Sequence, residues 1–248
     1  MPRMKPETQD PDSTEGQIAQ LADSTAAFPS DFHSVVLPVD KPSGITSFDV
    51  IRHLRRRLKI RKIGHAGTLD PMATGLLICL IGKSTKRMNE FLQYSKCYTG
   101  IIRLGETTAS YDAETPVESR ADVSCINLAD IQKASGQFLG TILQHTPLYS
   151  AVKVEGERLY KKARRGEKVK TPHRYVTVHA LTIDSYEAPD ASFTLTCSSG
   201  TYVRSIAHEL GASLGCGAHL VSLRRESIGP VDVRSAWELK DIPEREAA

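Results

Sequence analysis

Several classes of protein are excluded by what the sequence lacks. The longest apolar run, Leu76 to Ile81, has six residues, whereas a helix that crosses a bilayer needs about 20. The first residues have neither the apolar core of a secretion signal nor the arginine-rich, acid-poor character of a transit peptide. We therefore expect a protein without a membrane span that works in the cytoplasm.

Cysteine is scarce, and its spacing is uninformative. The five cysteines form no Cys-x-x-Cys pair, which argues against a disulfide framework and against a zinc ribbon. The eight histidines are scattered without a spacing that suggests a metal site. The segment 82–85 resembles the end of a phosphate-binding loop, but Leu77 stands where that motif needs a glycine. We predict no metal and no other cofactor.

The charge is small in total but uneven along the chain. The formal net charge is +3, and residues 1–32 hold two basic and six acidic side chains, which leaves +7 on residues 33–248. The first segment is rich in Pro, Ser, Thr, Asp and Gln and has little apolar periodicity, so it cannot bury enough surface to offset its ordering entropy. We predict a flexible acidic tail over residues 1–32.

Two basic segments lie in the remainder of the chain. Residues 52–62 contain seven Lys and Arg and no acidic residue. Apolar residues recur at helical spacing over 50–58 after a capping sequence at 46–49, which predicts an amphipathic helix with a cationic outer face. Residues 153–174 contain nine Lys and Arg against three Glu. Two such segments predict a surface that binds a polyanion such as nucleic acid through salt-sensitive phosphate contacts.

Patterns of apolar residues predict strands and helices that are mixed along the chain. Because the two do not alternate regularly, we expect an α+β fold with a mixed, mostly antiparallel sheet. The expected strands are 34–39, 75–82, 97–104, 174–185 and 192–199; the expected helices are 84–92 and 127–139; a turn is expected at 64–67, and residues 201–214 are expected to begin as a strand and continue as a helix.

The segment from Gly64 to Gly75 contains a histidine, an aspartate and three glycines. Its Asp70 precedes Pro71, which biases the aspartate towards an extended conformation, and glycines let neighbouring backbone approach a ligand closely. The segment could therefore aim one carboxylate into a cleft, although an Asp-Pro pair by itself indicates only a turn.

This segment resembles the catalytic motif of the TruB family of tRNA pseudouridine synthases. Other segments resemble that family in the same order, so that the similarity covers residues 34 to about 229. The resemblance implies a pseudouridine synthase fold with an RNA-binding cleft over residues 33–232, followed by a short C-terminal tail over 233–248. The other matching segments are 40–47, 96–105, 150–164, 200–205 and 223–225.

The resemblance implies that the chain isomerises a uridine in RNA, with uridine 55 in the T loop of tRNA as the family's substrate. The N1–C1′ bond breaks, the uracil turns, a C5–C1′ bond forms and the C5 proton is lost. Extruding the base costs a few kcal/mol, which stacking worth ~1 to 3 kcal/mol per base offsets. The expected partner is the tRNA T stem-loop, bound by a monomer without a guide RNA.

Three side chains would carry the chemistry by this resemblance. Asp70 would act as the nucleophile or charge partner of the sugar, a role that needs an ionised carboxylate. Arg204 would hold that carboxylate in a forked geometry and lower its pKa. Tyr98 would stack on the flipped base and take part in the loss of the C5 proton.

Four further side chains would bind the substrate. Tyr202 and Leu223 would wall the uracil slot, where apolar surroundings exclude water. His65 would enter the RNA loop and fill the gap that the extruded base leaves. Lys41, together with the two basic segments, would hold the phosphate backbone of the stem-loop.

The chain departs from the family pattern in two places. The segment 146–149 has one proline where the family usually has two. About twenty residues follow Gly229, which is too few for the small RNA-binding domain that bacterial members append. We expect that domain to be reduced or absent.

Other functions remain open from the sequence. A related synthase could act on another RNA or need a guide RNA, although guide-dependent relatives rely on accessory proteins and on the missing module. A non-catalytic protein could use the same basic surface to bind or fold RNA, but Asp70, Tyr98 and Arg204 together argue against it, since binding does not need the carboxylate. A glycosidase normally uses two opposed carboxylates, and the sequence indicates no partner acid for Asp70.

Overall fold

The structure, a computed structural model, describes residues 21–150, 152–154, 156–167 and 169–245. Within these ranges the chain forms fourteen strands and five α-helices, and the α+β fold class is confirmed. The described helices include none that is long and apolar enough to cross a membrane. The first 20 residues of the expected acidic tail lie outside the described residues.

Strands and helices follow one another irregularly along the chain. The strands are β1 (Ser34–Lys41), β2 (Ile63–Ala66), β3 (Thr74–Gly82), β4 (Lys96–Leu104), β5 (Glu106–Thr108), β6 (Val117–Arg120), β7 (Gly140–His145), β8 (Lys153–Val154), β9 (Glu157–Arg158), β10 (His173–Glu187), β11 (Asp190–Cys197), β12 (Ala218–Ile228), β13 (Val231–Asp232) and β14 (Trp237–Glu238). The helices are α1 (Ser47–Leu58), α2 (Met88–Gln93), α3 (Leu128–Ser135), α4 (Leu159–Arg164) and α5 (Val203–Ser213).

A ten-stranded mixed sheet organises the described part of the molecule. Eight strands follow the order β14-β1-β3-β12-β4-β11-β10-β7, while β2 pairs with β3 and β13 pairs with β12. The pairs β1–β14 and β3–β12 are parallel, and the other pairs of this sheet are antiparallel. The expected mostly antiparallel pairing is therefore confirmed. Strands β5 and β6 form one small separate sheet, and β8 and β9 form another.

Helix α1 begins and ends for local reasons that the sequence contains. The Thr46 side chain accepts a hydrogen bond from the Asp49 backbone N–H, and the Asp49 carboxylate accepts one from the Thr46 N–H. This capping box satisfies backbone donors that the first turn leaves free. The helix stops at Lys59, which adopts a left-handed conformation with φ 57°. Its apolar side, with Ile51 and Leu54, packs against β1 and β3.

Strand β3 is buried on both faces, as expected of a short continuous apolar run. Leu77, Cys79 and Ile81 face the cluster that includes α1. Leu76 and the alternate residues after it face a second cluster, which includes Phe91 of α2. Because β3 is held on both sides, the segment that enters it from Asp70 has a rigid end point.

Both ends of the described chain are more ordered than the sequence predicts. Residues 21–32, expected to belong to the flexible tail, pack against the core beside residues 233–245, which were expected to form a second tail. The Phe28 ring lies 4.9 Å from the Trp237 ring, edge to face. Ile242 is fully buried. These contacts attach both segments to the core, whereas the sequence predicted a flexible tail that includes residues 21–32 and a short tail after residue 232.

Three local expectations are wrong. The turn expected at 64–67 is mostly strand β2, because pairing with β3 satisfies its backbone groups. The strand-like start expected at 201 is absent, and Tyr202 is the extended residue that caps α5. The helix expected at 84–92 is a 3-10 turn, Lys83–Arg87, followed by α2.

Candidate active site

A cavity of about 490 Å³ opens where the segment 67–70 meets β4, β12 and the start of α5. The insertion between β7 and β10, which carries the second basic segment, contributes Ser150 and Val152 to its lining. Most of the side chains to which the sequence assigned a role lie here. The cavity lining includes Asp70, Tyr98, Tyr202, Arg204 and Leu223.

Backbone and side-chain hydrogen bonds hold the loop that carries Asp70. The Ser47 hydroxyl accepts from the Leu69 N–H at 2.9 Å and lies 3.1 Å from the Leu69 carbonyl, to which it can donate. The Gly44 N–H donates to the Pro71 carbonyl at 2.9 Å. Residues on both sides of Asp70 are therefore attached to the segment between β1 and α1.

Lys41 supports the same loop through a hydrogen bond to Pro71. It is fully buried, and its ammonium donates to the carbonyls of Pro42 at 2.9 Å, Ile45 at 2.7 Å and Pro71 at 3.2 Å. Burial lowers the pKa of Lys41 to about 8, although the nearby Asp70 opposes that shift. An enclosed ammonium with three carbonyl partners does not fit the phosphate contact that the sequence predicted, because no phosphate can reach it.

Arg204 joins two carboxylates. Its Nε lies 2.8 Å from Oδ2 of Asp70, and its Nη1 lies 3.2 Å from Oδ2 of Asp112. The guanidinium also donates to the carbonyls of Ser110 at 2.9 Å and Tyr149 at 3.0 Å. The Asp70 side chain is 36% exposed and that of Asp112 is 1% exposed. Asp70 is therefore the carboxylate that faces the cavity, and Asp112 holds the guanidinium from behind.

The electrostatic surroundings of Asp70 act in opposite directions. Burial raises the pKa of the Asp70 carboxyl, and the negative charge of Asp112 adds to that rise. The Arg204 guanidinium lowers the same pKa through its charge and its hydrogen bond. The forked contact with Arg204 thus stabilises the ionised form of a carboxyl that is partly removed from water.

Tyr98 and Tyr202 reach the cavity from different elements. Tyr98 lies on β4, and burial raises the pKa of its hydroxyl. Tyr202 is held at the start of α5 by the buried side chain of Gln144, which accepts from the Tyr202 N–H at 2.7 Å and donates to its carbonyl at 3.0 Å. The Arg174 guanidinium lies 5.2 Å from the centre of the Tyr202 ring. Leu223 on β12 adds an apolar surface.

Two further cations line the cavity without a role assigned from the sequence. Arg225 is 1% exposed and donates to the carbonyls of Leu76 at 2.7 Å and Gly67 at 3.0 Å. Lys96 donates to the Leu92 carbonyl at 2.7 Å, and burial lowers its pKa to about 8. Both residues lie in segments that match the TruB pattern, but only burial reveals what they contact. Asp112 has no signal of this kind in the sequence.

His65 does not line the cavity. It lies on β2 opposite Cys79 of β3, and its Nδ1 is buried without a hydrogen-bond partner among the described residues. Burial lowers the pKa of His65, and the charge of Arg225 adds to that effect. Its insertion into an RNA loop stays a prediction.

The acidic groups close to the cavity are already engaged. Asp70 and Asp112 contact Arg204, and Glu114 accepts a hydrogen bond from the Met72 N–H at 3.2 Å. In the described ranges, no three His, Cys, Asp or Glu side chains are grouped so that they could hold a metal ion. Chemistry without a cofactor stays a prediction.

The two basic segments differ in how they present their charge. On α1, the Arg55 guanidinium lies 5.8 Å from the ring centre of Phe48, which is 57% exposed. In the insertion, Lys161 and Lys170 are exposed, while Arg165 is paired with Glu157. An exposed aromatic ring and exposed cations are features of surfaces that bind RNA.

Comparison with known proteins identifies the same family that the sequence motifs resemble. The sequence model described as TruB family pseudouridylate synthase (N terminal domain) matches residues 55–203, which is more than half of the chain. The chain belongs to the TruB family. A second model, described as tRNA pseudouridylate synthase B C-terminal domain, matches residues 204–247 of this TruB-family chain.

Curated TruB relatives resemble the chain over most of its length. The tRNA pseudouridine synthase B of Opitutus terrae is 46% identical over 207 residues, which are 84% of this chain and 86% of the relative. The proteins of the same name from Burkholderia pseudomallei and Thermobifida fusca are each 44% identical. The match covers 82% of this chain and 67% of the Burkholderia protein, and 84% of this chain and 73% of the Thermobifida protein.

Solved structures confirm the pseudouridine synthase fold. A chain in a Cbf5-Nop10-Gar1 complex matches with a TM-score of 0.66 and 27% identity, over 89% of this chain and 60% of that chain. A chain in the archaeal box H/ACA sRNP Nop10-Cbf5 complex matches with a TM-score of 0.62 and 25% identity, over 85% of this chain and 52% of that chain. This TruB-family chain thus spans only part of the length of those two chains.

The segment that matches the TruB C-terminal model is built into the main sheet. It begins at Arg204 in α5 and continues through β12, β13 and β14, and β12 lies between β3 and β4. Whether the appended RNA-binding domain of other family members is reduced here therefore stays a prediction.

Proposed function

We propose that the chain is a tRNA pseudouridine synthase that isomerises uridine 55 of the T loop, as a monomer in the cytoplasm and without a guide RNA. The observation that carries the proposal is the ion pair between Asp70 and Arg204 at a cavity of about 490 Å³ in a TruB-family chain. That pair places a carboxylate, whose ionised form the guanidinium favours, next to the cavity in which we place the flipped nucleoside.

The extruded uracil enters between Tyr98 and Leu223, with Tyr202 on the side of α5. Stacking on an aromatic ring offsets part of the cost of leaving the RNA helix. The apolar walls exclude water, which strengthens the electrostatic contacts made inside the cavity. The cavity therefore favours a base that has left its stack.

Asp70 acts on the sugar while the N1–C1′ bond breaks. Its carboxylate either bonds to the sugar carbon or stabilises the positive charge that develops there, and both roles need the ionised form. Arg204 supports that form through its forked contact. Asp112, held behind the guanidinium, keeps Arg204 in this position.

The detached uracil turns and bonds to C1′ through C5; where Asp70 has bonded to C1′, this step breaks that bond and frees the carboxylate. The C5 proton then leaves and N1 gains a proton. Tyr98 is the side chain that we assign to the C5 proton. Because burial raises the pKa of Tyr98, its hydroxyl is neutral and can take up the C5 proton only as it gives up its own hydroxyl proton. N1 of the uracil is the group that gains a proton overall. The reaction exchanges neither electrons nor phosphate.

The stem-loop is held by its phosphate backbone on the cationic surfaces of 52–62 and 153–174. Such contacts fix the position of the RNA and make binding depend on salt. We retain the assignment of His65 to the gap left by the flipped base. Lys41 supports the loop that carries Asp70 and has no contact with phosphate in this proposal.

Three alternatives are less well supported. Guide dependence is suggested by the likeness to a chain of an archaeal box H/ACA sRNP complex, but relatives at 44 to 46% identity are named tRNA pseudouridine synthase B. Pure RNA binding gives no reason for the Asp70–Arg204 pair. A glycosidase would need a second acid facing Asp70, and Asp112 instead lies buried behind Arg204.

Tritium release from an unmodified T-arm hairpin labelled at C5 of uridine tests the proposal without added metal or nucleotide. The wild type should release tritium, and Asp70→Asn should abolish release while it still binds the hairpin. Asp190→Asn is the matched control, because it breaks a two-bond contact with Arg103 outside the cavity. A folded wild type that binds the hairpin without releasing tritium would contradict the T-loop assignment.

A further inference from the structure

Tyr111 has an unusual backbone conformation for an aromatic residue. It lies in the loop between β5 and β6 and has a φ of 64°, in the left-handed region that favours glycine. Such a conformation persists only where the surroundings impose it, and it points to a functional constraint.

The Tyr111 ring is stacked on the imidazole of His208. Their ring centres are 3.8 Å apart, and the ring planes differ by 14°. The Nδ1 atom of His208 is buried without a hydrogen-bond partner in the described part of the chain. His208 therefore contacts Tyr111 through the face of its ring.

Both partners of the stack are connected to Arg204, one through α5 and the other through its flanking residues. His208 follows Arg204 by four residues on α5, so the two side chains leave the helix on the same face. On the other side, the residues that flank Tyr111 both contact Arg204. The Ser110 carbonyl accepts from its Nη1 at 2.9 Å, and the Asp112 carboxylate lies 3.2 Å from the same atom.

Apart from the contacts of Arg204, the other hydrogen bonds of the loop among the described residues do not reach α5: several are internal, and Glu114 accepts from the Met72 N–H. The Thr108 hydroxyl donates to the Asp112 carbonyl at 2.7 Å, which shapes the loop internally. The Leu220 N–H donates to the Tyr111 carbonyl at 3.0 Å, which attaches the loop to β12. The stack attaches the same loop to α5, the helix that carries Arg204.

We propose that Tyr111 and His208 form a positioning pair, whose stacked rings hold the loop with Ser110 and Asp112 against α5 and so keep Arg204 aligned with Asp70. Neither ring lines the cavity, so the pair acts through Arg204 and not on the substrate. The inference deepens the proposed function and rests on it, since it concerns the rate of the step that Asp70 carries.

The left-handed conformation allows a test that separates positioning from folding. Tyr111→Gly removes the ring but suits the backbone, because glycine adopts a positive φ without strain. We expect kcat on the T-arm hairpin to fall about 10- to 100-fold, as a small displacement of a catalytic group does, with KM and the melting temperature nearly unchanged. Tyr111→Phe keeps the ring and should retain the wild-type kcat.

The partner residue has a matched pair of variants. His208→Ala should lower kcat to the same extent as Tyr111→Gly, and His208→Phe should restore it, since a phenyl ring stacks as well. The double variant Tyr111→Gly with His208→Ala should be no slower than either single variant, because both remove one interaction.

Three results would overturn the inference. These are a wild-type kcat in Tyr111→Gly, a loss in both ring-retaining Phe variants, or a fall in kcat that only follows a fall in melting temperature. The ¹⁵Nε signal of Arg204 gives a readout that does not need turnover: it should sharpen or shift in Tyr111→Gly and stay unchanged in Tyr111→Phe. If the wild type were inactive on the hairpin, that signal would still test the pair, so the failure of the proposed function and of the inference can be told apart.

Discussion

The loop that carries Asp70 and the basic insertion between β7 and β10 border the same cavity but are built differently. Hydrogen bonds from Ser47, Gly44 and Lys41 hold the loop on both sides of Asp70. The insertion has two strands of two residues each and a helix of six. Chemistry at a sugar carbon needs a carboxylate placed within a fraction of an ångström, whereas a grip on phosphates needs charge within reach.

The same residue type serves opposite purposes in the two regions. Lys41 and Lys96 are buried beside the cavity, and their ammonium groups donate to backbone carbonyls. Lys161 and Lys170 of the insertion are exposed. A buried lysine supports a particular backbone shape, and an exposed lysine contributes to long-range attraction for a polyanion. Substitutions in the two regions should therefore change different measured quantities.

The largest effect is expected from Arg204→Lys. Lysine cannot reproduce the forked contact with Asp70 while it also contacts Asp112, since its charge sits on one nitrogen. We expect the single-turnover rate constant for tritium release to fall at least about 100-fold, while hairpin affinity stays unchanged. Arg103→Lys is the control, because it changes a comparable pair with Asp190 outside the cavity. Equal losses in the two variants would contradict the comparison.

The next largest effect concerns the insertion and changes binding rather than chemistry. Lys161→Gln with Lys170→Gln removes two exposed charges, so the slope of log Kd against log salt concentration should become shallower by up to about 1.4 to 1.8. The rate constant for tritium release from bound hairpin, measured in a single turnover, should stay the same. Lys133→Gln with Lys240→Gln removes two exposed charges elsewhere and should change the slope less. An equal change of slope in the two double variants would mean that the insertion does not bind the RNA backbone.

Lys41→Met tests the buried role of Lys41 through the pH dependence of the free energy of unfolding. Because burial lowers the pKa of folded Lys41 from 10.5 to about 8, the unfolded chain binds more protons at this site between those values. The free energy of unfolding should therefore rise with pH from about 8 to 10.5 through this group. Urea unfolding should reveal that rise in the difference between wild type and Lys41→Met. The salt slope of RNA binding should be unchanged, and a reduced slope would restore the phosphate role.

Local patterns predict the elements that local interactions specify. Strand β1, the apolar strand β3, the capped helix α1 and the paired strands β10 and β11 all follow from periodicity and capping residues. Asp70 and the residues that line the cavity with it follow from resemblance to a family, since an isolated Asp-Pro pair indicates only a turn. Their proximity and the forked contact between Asp70 and Arg204 were thus expected, while the contacts of Arg204 with Asp112 and with backbone carbonyls were not.

The residues that sequence reasoning missed depend on contacts between distant parts of the chain. Asp112 acquires its place only when the loop after β5 meets α5, some 90 positions later, and no spacing signals that meeting. Arg225 is buried because β12 lies between β3 and β4, which the sequence did not predict. Lys41 shows the converse error. A lysine in a motif was assigned to phosphate, and only its burial excludes that contact.

The smallest effects come from two neighbouring residues at the start of α1. Thr46→Ala removes the helix cap, and Ser47→Ala removes the buried hydroxyl that contacts the Leu69 backbone. Each should lower the free energy of unfolding by about 1 kcal/mol or slightly more, the first through the cap and the second through unsatisfied buried groups. Their stability costs are therefore similar.

Of these two residues, only Ser47 contacts the loop that carries Asp70. Ser47→Ala alone should therefore also slow the reaction, by a few-fold in the single-turnover rate constant. Ser47→Thr, which keeps the hydroxyl, should recover most of that loss. Thr46→Ala should leave kcat unchanged at a temperature where both variants stay folded. A slower reaction in both Ala variants would mean that the rate follows the stability of α1 as a whole, and that the hydrogen bonds of the Asp70 loop have no separate role in positioning the carboxylate.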